Sequence, residues 1–110
     1  MANDFIIDKI LAQVLMFPET HDQDMFMDTA AQCGTTFCVA GWAVHFSDEY
    51  EIIETGNTGY PVRKRDHVEL LWSESGQDIL GITEDQANHL FFETNNEEAI
   101  SYLKDLKNGI

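Results

Sequence analysis

The chain has 110 residues, 44% of them hydrophobic and 11% aromatic, which is material for a single small globular domain spanning 1–110 and too little for two cores. Twenty Asp and Glu stand against six Lys and Arg, a formal charge of −14, with ten acids before residue 61 and ten after it. A surface of that sign repels phosphate backbones and anionic membranes, so direct nucleic-acid or membrane binding is disfavoured and a basic protein partner is favoured.

Asn3 is placed to cap a helix in which Ile6, Ile7, Ile10, Leu11, Val14 and Leu15 recur at three- and four-residue steps, with Pro18 marking its end. The next segment, ETHDQDMFMDTAAQ, is polar with apolar insertions at Met25, Phe26 and Ala30, and reads as a loop carrying one or two short helical turns. Then comes CGTTFCVAGWAVHF, residues 33–46. Thr35 or Thr36 can cap a helix there, and between Phe37 and Phe46 only His45 is strongly polar, the pattern of a helix buried on nearly every side. A buried strand is the rival for so short an apolar run. Ala40, Gly41 and Ala43 would let neighbours come close, and a mid-helix glycine costs about 1 kcal/mol relative to alanine, so Gly41 predicts tight packing.

Tyr50, Ile52, Ile53 and Val62 flank a Gly-Asn-Thr-Gly segment, a hairpin closed by a loop rather than a two-residue turn, with Pro61 at a sheet edge. Arg63, Lys64 and Arg65, half of all the basic residues, read as a solvated face that can neutralise nearby carboxylates or meet an anionic ligand. Asp66 with Glu69 resembles a capping box opening a helix through Val68, Leu71 and Trp72, which Gly76 interrupts before Ile79 and Leu80. Thr83 with Gln86 caps a helix carrying Ala87, Leu90 and Phe91, and Asn95 with Glu98 caps a last one carrying Ala99, Ile100, Leu103 and Leu106. Lys104 and Lys107 suit the negative end of its dipole, and Gly109 can terminate it. The expected fold is α+β and predominantly helical: about five helices around a buried central helix, with one β-hairpin.

Three kinds of chemistry can be weighed for the cysteine segment. Cys38 in a helical first turn would sit where dipole and free amides favour a thiolate, but His21, His45, His67 and His89 lack the local signature of a Cys/His hydrolase. Cys33 and Cys38 with His21 and Asp22 offer ligands of the right type for zinc, yet a lone C-x4-C lacks the paired spacing of a zinc knuckle. The plain reading makes the segment core, with His21 and Asp22 fastening their loop to the Cys-Gly-Thr turn. No phosphate loop, nucleophile elbow or paired-carboxylate signature is present, and neither a cofactor nor a metal is expected. No secretion signal opens the sequence, and no uncharged run nears the roughly 20 residues that span a bilayer, so a cytoplasmic protein with reduced thiols is expected.

HDQ at 21–23, CGTTFCVAGW at 33–42, and LGITEDQANHLF at 80–91 together resemble a set of small proteins of bacteriophages and some bacteria, with the pattern HDQ, then C-G-T-x-x-C-x-A-G-W, then Leu-Gly-Leu-Thr entering a helix with a Leu-Phe pair. His21, Asp22, Gln23, Cys33, Gly34, Thr35, Cys38, Ala40, Gly41, Trp42, Leu80, Gly81, Thr83, Leu90 and Phe91 match, while Ile82 replaces the second leucine. The likeness covers most of the chain but skips the hairpin, and it implies a phage-type origin without a mechanism. The expectation is a non-enzymatic acidic protein, working in the host cytoplasm if phage-encoded, that engages a basic host protein and inhibits a nucleic-acid-binding or defence enzyme. Glu84, Asp85, Glu93, Glu97 and Glu98 are the candidate contacts, and His21, Asp22, Cys33, Gly34, Thr35, Cys38, Gly41 and Trp42 the structural centre. A thiol- or zinc-dependent enzyme centred on Cys38, Cys33 and His21, and a homo-oligomeric accessory protein, are the alternatives.

Overall fold

The computed structural model describes residues 3–23, 26–28, 36–56 and 58–107. Asn3 begins α1 (Asp4–Met16): its side-chain oxygen accepts the Ile6 amide at 3.3 Å. Its own amides donate to the carbonyls of Ile79 and Leu80, tying the start of α1 to the end of a distant helix. Ile6, Ile7, Ile10, Leu11 and Val14 are buried, each contributing roughly 1.5–3 kcal/mol by leaving water. Leu15, expected on the same stripe, is 53% exposed. Each i+4 step advances about 40° around a helix, and from Leu11, already at the margin of the stripe, one more step leaves it.

After a 3₁₀ turn at Pro18–Thr20 the chain forms β1 (Met27–Asp28), which pairs antiparallel with β2 (Thr36–Phe37). The polar segment therefore holds one helical turn and a strand among its described residues. Thr36 belongs to a strand and caps nothing; α2 (Val39–Phe46) begins one residue after Cys38, which occupies the N-cap position, so Cys38 is not in the first turn. Val39, Ala40, Gly41, Trp42, Ala43 and Val44 are all buried, and α2 packs against α1, α3, α4 and β3.

One hairpin was expected; two small sheets are present among the described residues. The second sheet has the order β3-β4-β5, with β3 (Tyr50–Thr55), β4 (Thr58–Arg63) and β5 (Val68–Glu69) all antiparallel. Thr55 pairs with Thr58, a register tighter than the loop-closed hairpin expected, and Gly56 takes φ +61° beside it. Pro61 lies in the middle strand and not at an edge. Its carbonyl accepts from the Leu70 amide at 3.2 Å, but proline returns no donor, and the paired β4–β5 register stops at Val62 opposite Glu69. Val68 and Glu69 are thus strand where a helix was expected, and Asp66 instead makes a bidentate pair with Arg63, Nη2 to Oδ2 at 2.6 Å.

α3 (Trp72–Leu80) runs unbroken through Gly76, because a Cβ there would lie 2.8 Å from the Phe91 ring and 3.1 Å from Ala40 Cβ; the glycine marks close helix contact, not an interruption. α4 (Glu84–Phe92) and α5 (Asn96–Lys107) begin with the expected boxes: Thr83 and Gln86 exchange bonds of 2.9 and 3.1 Å, Asn95 and Glu98 of 3.0 and 2.9 Å. Ala99, Leu103 and Leu106 are buried on α5, and Lys107 in its last turn pairs with Asp8 of α1. Gly109 lies outside the described residues. The protein is α+β, with five α-helices and two sheets among the described residues.

Candidate functional site

The 3₁₀ turn delivers His21 in extended conformation beside β2, where it bridges Phe37 in parallel and the Asp22 amide donates to the Phe37 carbonyl at 3.0 Å. Gln23 is the hub of a buried hydrogen-bond network. Its Nε2 donates to the Leu90 carbonyl at 2.9 Å, near the end of α4, where Thr94 Oγ1 also donates at 2.7 Å. Its Oε1 accepts the Val39 amide at 3.2 Å, an otherwise orphaned donor in the first turn of α2, and meets His21 Nε2 at 2.9 Å. With that oxygen an acceptor, His21 must carry its proton on Nε2. Asn96 closes the arrangement: its Oδ1 accepts the Gln23 amide at 2.7 Å and its Nδ2 donates to the His21 carbonyl at 2.8 Å. The HDQ segment therefore binds the start of α2 to the junction of α4 and α5. The expected anchor was the Cys-Gly-Thr turn, but Cys33, Gly34 and Thr35 lie outside the described residues.

Cys38 is 1% exposed. Burial pushes its thiol up to about 12 against a smaller pull from the amides of Gly41, Ala40 and its own, and the Asp22 carboxylate adds the least, in the same direction as burial. A buried thiol held in its neutral form is disfavoured as a nucleophile and as a metal ligand. Burial likewise lowers the pKa of His21, outweighing the Gln23 bond and Asp22, and lowers that of His45. Trp42 donates from Nε1 to the Thr20 carbonyl at 3.2 Å and meets the Phe37 ring edge-on at 4.8 Å between centroids. A Cβ on Gly41 would stand 2.8 Å from Phe37 Cβ and collide with the Phe26 carbonyl, which explains the glycine. Among the described residues no three of His, Cys, Asp and Glu are grouped to hold a metal ion.

None of the described acidic side chains is buried. The five candidate contacts divide. Glu93 follows the last turn of α4 and Glu97 and Glu98 open α5, so these three share one end of the α4–α5 pair. Glu84 and Asp85 open α4, about 13 Å away along its axis. Glu93 meets His89 Nδ1 at 3.0 Å and Glu98 caps its own helix. The reading by sequence missed a second acidic element: Glu49 before β3 and Glu51 and Glu54 within it are all exposed. Beside that strand Met27, Phe37, His45, Ile52, Ile53 and Glu54 line an open groove of about 490 Å³. The E-Y-E-I-I-E segment held part of the signal, since Glu49 and Glu51 alternate onto one face while Glu54 takes the other, but a groove formed by β1, β2, α2 and β3 has no local trace.

No helix among the described residues is long and apolar enough to cross a membrane. Comparison with protein families, curated proteins and solved structures finds no match to this chain.

Proposed function

We propose that this is a non-enzymatic acidic binding protein, phage-encoded and acting in the host cytoplasm, that occupies a basic surface on a host protein and competes there with nucleic acid. The observation that carries the reading is the charge excess: twenty acids against six Lys and Arg leave fourteen negative charges that no internal pairing can offset, and every described acid is at least partly open to solvent. A field of that size attracts cationic surfaces and imitates the charge of a phosphate backbone. The thiol-enzyme alternative is disfavoured by the burial of Cys38 and its raised pKa. In this reading α2 is the buried central helix of a scaffold, held by the Gln23 network, and the outer acids do the work.

The test is capture of host proteins on the immobilised chain, followed by titration of the retained partner at rising ionic strength. Affinity should fall steeply between about 0.05 and about 0.5 M salt, and nucleic acid should displace the protein from its partner. Affinity indifferent to salt would remove the reading's basis.

A further inference from the structure

β3 is the outer strand of its sheet, and among the described residues no strand pairs with its free side. Its backbone directions follow from the ladder. The Glu49 carbonyl accepts from the Lys64 amide at 2.9 Å, and antiparallel pairs alternate, so Glu51, Ile53 and Thr55 address β4 while Tyr50, Ile52 and Glu54 turn their N–H and C=O groups away from it. The β4 side agrees: Pro61, opposite Ile52, gives its carbonyl to Leu70 and not to β3. Ile52 and Glu54 therefore present a donor-acceptor row at the edge that borders the groove lined by Met27, Phe37 and His45.

Charge decides what fits there. A second copy of this chain would set Glu49, Glu51 and Glu54 against the same residues and bring one formal charge of −14 onto another. A cationic strand meets the opposite condition. Glu54 lines the groove together with Phe37 and His45, and partial burial lowers the His45 pKa, which disfavours a competing cation there. Exposed Glu51 adds a second carboxylate on the strand, and the 37%-exposed Ile53 adds an apolar contact along the groove.

We infer that an extended, lysine- or arginine-bearing segment of a partner protein adds as a further strand along the free edge of β3, hydrogen-bonding the backbone of Ile52 and Glu54 and placing a basic side chain on the Glu54 carboxylate at the groove. Main-chain bonds supply affinity, and the groove and carboxylates supply the preference for alternating apolar and basic side chains. The inference rests on the proposal of a basic protein partner and moves its contact from the α4–α5 acids to the sheet edge.

The experiment titrates ¹⁵N-labelled protein with a blocked peptide alternating lysine and valine. Amide shifts should concentrate on Ile52 and Glu54, whose amide protons should exchange more slowly when bound. Glu54→Pro removes the outward donor while sparing the β4 ladder, and should weaken binding about tenfold or more, whereas Glu54→Gln should cost only a few-fold. The same peptide N-methylated along one edge should also lose about tenfold, a control that does not depend on a variant folding. A Glu97→Gln variant, which removes one α5 charge and leaves the Asn95–Glu98 cap intact, should bind within about twofold of the parent. Shifts confined to α4 and α5 would overturn the strand addition while leaving the basic-partner reading in place. Absence of saturable binding, or equal binding by Glu54→Pro and by the N-methylated peptide, would overturn it as well.

Discussion

Gln23 illustrates how much one buried amide can hold. Replacing it with alanine strands the Val39 amide and the His21 Nε2–H, while the Leu90 carbonyl keeps Thr94. Each buried group left unpaired costs about 1–3 kcal/mol, so Gln23→Ala should lower the unfolding free energy by about 2–4 kcal/mol in urea titrations. His21 adds a pH dependence of fixed sign. Burial holds its folded pKa below the ordinary 6.5, so the unfolded chain takes up the proton first as pH falls. Stability should be fully present above that value, decline as pH drops below it, and level off once folded His21 is itself protonated. Urea midpoints at about pH 7.5 and about pH 5.5 should differ in this direction, and His21→Gln should shrink the difference; an equal difference in the variant would reassign the effect to other groups, His45 among them.

At the scale of elements, two glycines set the spacing around α2, and they should respond differently. The Cβ of Gly41→Ala would meet backbone at Phe26 and the Cβ of Phe37, neither of which can swing aside, so a cost of about 2–3 kcal/mol is expected. For Gly76→Ala the nearest atom is the tip of the Phe91 ring, and the gain of about 1 kcal/mol in helix propensity should offset much of the strain. Thermal unfolding of both variants checks the ranking, and equal losses would contradict it. The helices at the ends of the chain were legible from the sequence because their caps are local: Asn3, Thr83 with Gln86, and Asn95 with Glu98 each bond within three residues. The middle was not. Val68 and Glu69 are strand because β4 is beside them, and Leu71 stays 67% exposed where its spacing predicted burial. Thr36 resembles a cap but pairs with Asp28 of β1. Of the candidate site, the core role of Gly41 and Trp42 could be read from composition. The Gln23 bonds to Leu90 and Asn96 span 67 and 73 residues, beyond any pattern in the sequence.

For the whole molecule, the inside and outside have separate tasks. The thiol at Cys38, the HDQ segment and the rings of Phe37 and Trp42 serve the packing of α2, and the charge excess faces water. The account therefore predicts that function tracks charge and ignores sulfur. The most direct measurement is the affinity of a basic protein captured on the immobilised chain for three folded forms of the protein: the parent, Cys38→Ala, and a charge-reversed form with Glu51→Lys and Glu54→Lys. Cys38→Ala should bind like the parent despite losing about 1 kcal/mol of stability, and charge reversal should weaken binding about a hundredfold at low salt. Loss of binding in the cysteine variant with none on charge reversal would contradict the account.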